Sequence, residues 1–171
     1  NGLYTSFVTL TLKNTESLPA SKDLVRWKKR LLMSKFWQPY GLYGTLGSLE
    51  VKIGEGPGHR RDTFAIAELT RYRSEIPSFD DVFVDLNRDD VSPIQGFADR
   101  GEFYFPNTVL AADLIVSLAK MKTHHWAGAT LSMKNFFGLV PGSIYGWPKN
   151  ELHHIGIPTS IVELTRIFGP K

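Results

Sequence analysis

Leu114–Gly142 reads LIVSLAKMKTHHWAGATLSMKNFFGLVPG, and the fold turns on how its first six residues hand over to the rest. Leu114–Ala119 is an apolar run of strand length, the best candidate for a central strand. Val109–Ala112 ahead of it forms a short helical lead-in that Asn107 or Thr108 can cap. The run from Lys120 to Gly142 then collects His124, His125, three lysines (Lys120, Lys122 and Lys134), the small-residue turn Ala127-Gly128-Ala129 and the turn Pro141-Gly142. Titratable side chains where a buried strand gives way to a loop are where open α/β sheets keep their sites. Thr130–Phe137 has helical spacing, and a second histidine pair, His153 and His154, opens the next apolar segment. Four of the five histidines therefore fall in this one region.

Working outward, strand and helix patterns alternate. Ser6–Lys13 alternates apolar and hydroxyl residues as a strand does, and Lys22–Met33 places Leu24, Trp27 and Leu31 on one helical face. Phe36–Gly47 shows no clean period. Leu49–Ile53 is a short strand running into the glycine loop Gly54-Glu55-Gly56-Pro57-Gly58, and a helix follows over about Asp62–Arg73, packing through Phe64, Ala67, Leu69 and Tyr72. Asp81–Leu86 is a strand closed by the turn-rich Asn87–Asp90, and Phe103–Phe105 is an edge strand ahead of Pro106. Thr159 can cap a last helix, Ser160–Phe168, which Gly169-Pro170 ends. This alternation predicts one α/β domain with a mainly parallel open sheet and flanking helices, its glycine, Asn87 and His124 loops gathered at strand C-terminal ends.

Composition bounds the function. The 171 residues are 42% hydrophobic and 22% charged with a net charge of +3, an ordinary globular balance rather than that of a disordered chain. The positive excess sits in Lys22–Lys35, where six basic residues face one Asp23; with Trp27, Phe36 and Trp37 as core anchors, it reads as a solvated helix face, so no nucleic-acid partner is expected. No cysteine is present, which removes disulfides, thiolate nucleophiles and any Cys-ligated iron–sulfur cluster from this stretch. No apolar run approaches the roughly 20 residues that span a bilayer. The compartment is read as cytoplasmic by default, with an exported form left open. Because the chain begins at Asn1 rather than Met and stops just after a helical pattern, it is expected to be a fragment or processed form of a longer chain.

Each site candidate has a structural alternative. Gly54, Gly56 and Gly58 let backbone approach a phosphate or carboxylate before a helix N-terminus, with His59, Arg60 and Arg61 adding positive charge; the same glycines also serve a plain tight turn. The spacing is not the dinucleotide fingerprint. Lys122, His124, His125 and Lys134 suit a metal, an acidic substrate or a cofactor, or else cap chain ends. Adjacent histidines on an extended chain point to opposite sides, so one of each pair faces a common site. Ser117, Ser132 and Thr123 lack the G-x-S-x-G elbow of a serine hydrolase. Asp85 and Asp113 either orient a lysine or histidine or serve turns. Lys134, flanked by Met133, Phe136 and Phe137, is expected to be partly desolvated, which lowers its pKa and makes its amine a nucleophile or tether; a snorkelling lysine is the alternative.

Gly54–Thr63 (GEGPGHRRDT), Val84–Asn87 (VDLN) and Lys120–Gly142 resemble the domain-of-unknown-function family 362 over about Leu49–Lys171, leaving residues 1–48 poorly assigned. The resemblance implies a fold and a site without naming a substrate; some members carry a ferredoxin-like iron–sulfur module, so an iron–sulfur protein or module is an expected partner. The pattern His124, Ala127, Gly128, Thr130, Lys134, Pro141, Gly142 and His153 is also similar to the lactate racemase family that uses a nickel-pincer nucleotide. There, the lysine tethers the cofactor and the later histidine ligates nickel. This chain departs from it in having Leu131-Ser132-Met133 where that family has two glycines before the lysine, and in a different Pro-Gly spacing.

The leading expectation is an enzyme domain binding a small anionic ligand at a His/Lys cleft: His124 and Lys134 as catalytic candidates, Lys122, Thr130 and the three glycines as ligand-binding, and His124 with His153 as ligands of a divalent metal. The alternatives are a non-catalytic electron-transfer or scaffold subunit, with the histidine loop as interface, and a nickel-pincer-like isomerase.

Overall fold

The computed structural model describes residues 9–13, 50–58, 62–76, 78–117, 119, 121–146 and 149–169; the expected Lys22–Met33 helix, the basic cluster, the irregular Phe36–Gly47 stretch and the Gly169-Pro170 stop fall wholly or partly outside them. Strand β1 (Thr9–Lys13) pairs antiparallel with both β2 (Glu50–Glu55) and β6 (Leu114–Ser117), while β2 pairs parallel with β3 (Phe83–Asp85). The order is β3-β2-β1-β6. The protein is thus a mixture of helices and strands, but its main sheet is not mainly parallel: one pair is parallel and two are antiparallel. The reason is β1, a strand from the start of the chain inserted in reverse between two strands that would otherwise run side by side. Leu114–Ser117, expected at the centre, ends the described strand order.

This insertion leaves β2, β3 and β6 pointing the same way. Thr9 pairs with Gly54 on one side and Ser117 on the other, and Gly54 pairs with Val84, so the C-terminal ends of the three co-directed strands lie along one edge. The loops that carry the candidate residues leave from that edge.

Two small antiparallel pairs complete the strands among the described residues: β4 (Val91–Gln95) with β5 (Glu102–Pro106), and β7 (Lys122–His124) with β8 (Gly128–Thr130). Both hairpins pair polar or interrupted segments, which is why only Phe103–Phe105 stood out in the sequence. The expected Asp62–Arg73 helix is shorter, α1 (Thr63–Leu69), with Asp62 capping through its carboxylate to Ala65 N at 2.8 Å. Arg71, in the left-handed region at φ 65°, breaks it from a single turn, α2 (Tyr72–Glu75). Ile66 and Ala67 are buried in α1, whereas Phe64 and Leu69 are exposed. A turn of helix, α3 (Phe79–Val82), takes up Asp81 and Val82, the first two residues of the expected Asp81–Leu86 strand.

The turn α4 (Asn107–Leu110) precedes β6, and α5 (Ser132–Asn135) continues into a 3-10 turn at Phe136–Leu139. Then come α6 (Gly142–Tyr145), α7 (Asn150–Ile155) and α8 (Ile157–Phe168). Helix α8 starts at Ile157 with Pro158 in its first turn, a position where the missing N–H costs nothing, so Thr159 is not its cap. Among the described residues no helix is long and apolar enough to cross a membrane.

The core joins these parts. Phe97, Phe103 and Phe105 are fully buried, their rings tilted or edge-on to one another at 4.3–5.8 Å between centroids, with Leu86, Phe136, Phe137, Leu139, Val140, Leu152 and Leu164 packed into the same cluster. Burying each such side chain contributes about 2 kcal/mol. Tyr145 stacks on Phe103 at 4.1 Å and accepts a hydrogen bond from Tyr104 N at 2.7 Å, which pins α6 to β5. The 3-10 turn and α8 are therefore held in the core while the polar face of α5 meets the strand ends.

Candidate functional site

Asn87, in the turn after β3, is completely buried and joins three loops. Its Nδ2 donates to Pro57 O at 2.9 Å, and its Oδ1 accepts from Gly142 N and from Lys149 Nζ, each at 2.9 Å. Asp85 holds the turn by accepting from Asn87 N at 2.9 Å, the Asx-turn role that its position allowed. Lys149 is buried, and besides Asn87 it donates to Gly138 O at 3.3 Å and to Val140 O. Burial pulls its pKa from 10.5 down to about 7, against the opposing influence of Glu55 and Asp85. Its ammonium is nevertheless supplied with oxygens, so it acts as a fastener between the Asn87 turn and the Gly138–Val140 segment. Sequence inspection missed Lys149: a lysine between Pro148 and Asn150 carries the local signature of an exposed turn.

The fastener explains the glycine loop. A Cβ on Gly56 would lie 2.1 Å from Gly138 O and 3.2 Å from Lys149 Nζ, and one on Gly54 would strike the Leu86 side chain at 2.7 Å. The close approach that demanded glycine is thus made by protein. Gly54 and Gly56 are buried and Gly58 half-buried, while His59, Arg60 and Arg61 lie outside the described residues.

At the end of β6, Ser117 Oγ donates to Ser132 O at 3.0 Å and accepts from Asn135 Nδ2 at 2.9 Å, which fixes α5 against the strand end. Lys134 in that turn is 8% exposed, with Nζ 3.6 Å from the centroid of the Phe137 ring. Burial first, then the neighbouring charge of Lys122, lower its pKa from 10.5 to about 8. Among the described residues no carboxylate or carbonyl stands against this ammonium. The two buried lysines therefore differ in kind: Lys149 is saturated with oxygen acceptors, and Lys134 has a ring face.

His124 and His153 lie within electrostatic reach of Lys134. His124 Nδ1 accepts from Trp126 N at 3.2 Å and Ala127 N at 3.1 Å, so its hydrogen sits on Nε2. Burial, followed by Lys134, His125, His153 and Lys122, lowers its pKa from 6.5 to about 4, and it is neutral near pH 7. His153 Nδ1 lies 3.1 Å from Lys149 O, which can only accept, so here the hydrogen is on Nδ1 and the Nε2 lone pair is left. Burial, opposed by that bond, lowers its pKa also, with Lys134, His154 and His125 adding to the effect. The rings form a chain: His124 stacks on His125 at 5.0 Å, His125 meets Trp126 at 4.6 Å, and Trp126 meets His153 edge-on at 5.0 Å. His125 and His154 are exposed while His124 and His153 are half-buried, but the stacked rings of His124 and His125 do not point to opposite sides as an extended chain would place them.

Lys122 is half-buried and pairs in register with Thr130, whose Oγ1 is buried without a hydrogen-bond partner among the described residues. The expected metal pair fits poorly. His153 presents a lone pair, but His124 would have to surrender both amide bonds to its Nδ1 before Nε2 could ligate. Among the described residues no three His, Asp or Glu side chains gather in a ligating group.

Fold and candidate site together define a mixed α/β domain with a desolvated lysine near two histidines of opposite tautomer. The chain belongs to the family described as Domain of unknown function (DUF362), whose match spans residues 42–171. Neither the curated proteins nor the solved structures provide a match.

Proposed function

We propose that this is an enzyme domain, or the larger part of one, that binds a small anionic ligand, a carboxylate or phosphate, at Lys134. The observation that carries the reading is the Lys134 ammonium itself: buried, lying on the Phe137 ring, repelled by Lys122 and facing no acidic side chain among the described residues. A buried cation without a counter-charge is costly, and an anionic ligand supplies the missing partner. Lys122 adds charge from β7, His124 offers an Nε2–H donor that remains neutral, and Thr130 Oγ1 offers a hydroxyl. Calorimetric titration of the full-length protein with small carboxylates and phosphates, alongside analysis of its metal content, tests this. Millimolar or tighter anion binding that disappears in Lys134→Met supports it; absence of binding across the panel removes it.

A second reading, a scaffold or electron-transfer subunit docking an iron–sulfur module, draws on Met121, Trp126, Leu131 and Met133, large apolar side chains exposed around the same hairpin and turn. Under it, alanine at His124 or Lys134 weakens association with the module and leaves anion titrations unchanged.

A further inference from the structure

The two half-buried histidines are locked in opposite senses. A carbonyl facing His153 Nδ1 fixes the hydrogen there and leaves Nε2 as an acceptor, whereas two amides facing His124 Nδ1 fix its Nε2 as a donor. Both belong to the surroundings of one ammonium. Phe137 carries Lys134 Nζ at 3.6 Å from its ring centroid and meets His153 edge-on at 6.0 Å; Trp126, whose amide helps fix His124, touches His153 through its ring. The site thus presents a cation, a donor and an acceptor.

We infer that the ligand is an oxyanion that also bears a hydroxyl hydrogen, with Lys134 and His124 holding its deprotonated oxygens and His153 Nε2 accepting its O–H; this rests on the anion-site reading above. A bare oxyanion would satisfy the first two groups but set oxygen lone pairs against the lone pair of His153, leaving a half-buried acceptor unmade. Sites built to bond a hydroxyl reject the analogue that lacks it, because their own polar group is then stranded.

Two pairs of probes differ chiefly by that hydroxyl: inorganic phosphate against sulfate, and glycolate against acetate. At mildly alkaline pH, phosphate retains one hydroxyl hydrogen and sulfate none. In titrations of the full-length protein, the hydroxyl-bearing member of whichever pair binds is expected to be about tenfold or more the tighter. His153→Phe, which keeps a ring against Trp126 and Phe137, brings that ratio towards one. Nitrogen-15 spectra of the unaltered protein read the tautomer without any substitution, and His153 is expected to carry its hydrogen on Nδ1. Equal affinities within the pairs, or a His153 hydrogen on Nε2, would overturn the selectivity while leaving an anion site standing. Failure of all four probes to bind would overturn the anion-site reading as well.

Discussion

Replacing Lys134 by methionine should make the ligand-free protein more stable, the opposite of what losing a buried charged residue usually does. The fall in its pKa from 10.5 to about 8 measures how much the folded protein disfavours the ammonium. At about 1.4 kcal/mol per unit, this bounds the cost at about 3 kcal/mol. Residual solvent contact screens part of it, and the methionine also forfeits the contact between the ammonium and the Phe137 ring, although its sulfur recovers some attraction to that ring. A net gain of about 1–2 kcal/mol remains, or a rise in Tm of about 3–6 °C for a chain of this size. The pH dependence is diagnostic. With a lowered folded pKa, the unfolded chain holds the proton longer, so wild-type stability rises with pH from about 8 towards the ordinary lysine value. The advantage of Lys134→Met should be full below about pH 8 and vanish as that value is passed. Urea unfolding in anion-free buffer across this range reads both features. A variant less stable than wild type at neutral pH would refute the reasoning, since it would mean that the ammonium has a structural partner. With phosphate present at about a hundred times its dissociation constant, wild type should gain about 2.7 kcal/mol and the variant nothing.

Lys149→Met should do the reverse, because it strands Gly138 O and Val140 O and leaves Asn87 Oδ1 with Gly142 N alone; a loss of about 2–4 kcal/mol in urea unfolding is expected, and a stabilised variant would contradict the fastener role. Gly56→Ala should cost about 1–3 kcal/mol through the clash of its Cβ with Gly138 O, seen as a lowered unfolding midpoint; an unchanged midpoint would place that backbone farther away. The C2 proton of His124 should titrate near pH 4, and because the unfolded chain binds the proton first, stability should be lost as pH falls from about 6.5 towards 4; a midpoint near 6.5 by NMR would show an open, unconstrained ring. Under limiting amine reagent in the native protein, Lys134 should label ahead of Lys28 and Lys29, its lowered pKa leaving more free amine; mass spectrometry showing equal or lesser modification would end the case for a nucleophile or tether.

Much of the candidate site lies in one contiguous stretch, which is why its residues stand out in the sequence. The positions of His124, Lys134 and Thr130 after an apolar strand, and the desolvation of Lys134 beside Phe136 and Phe137, follow from local sequence, because those two rings anchor the turn in the core; Met133, expected to share in this, is exposed. The family follows from the same motifs, whose match covers residues 42–171. Local pattern also announced Leu49–Ile53, the core of Phe103–Phe105 and the final helix, each a segment whose apolar period matches its own geometry.

Tertiary structure decided what depends on partners distant in sequence. Strand alternation looks the same in either direction, so only pairing could reveal that Thr9–Lys13 runs backwards between Glu50–Glu55 and Leu114–Ser117. A glycine registers what approaches it, and at Gly56 the carbonyl of Gly138 and the amine of Lys149 come close enough to require one. Lysine is the same letter at 134 and 149; one ammonium is ringed with oxygens from residues 87, 138 and 140, and the other rests on a phenyl ring. Likewise the hydrogen on each histidine is placed by the group opposite Nδ1, two amides for His124 and a carbonyl for His153. Sequence supplied the titratable groups and gathered them; the surrounding charges, carbonyls and amides, which set their protonation, are assembled only when the chain folds.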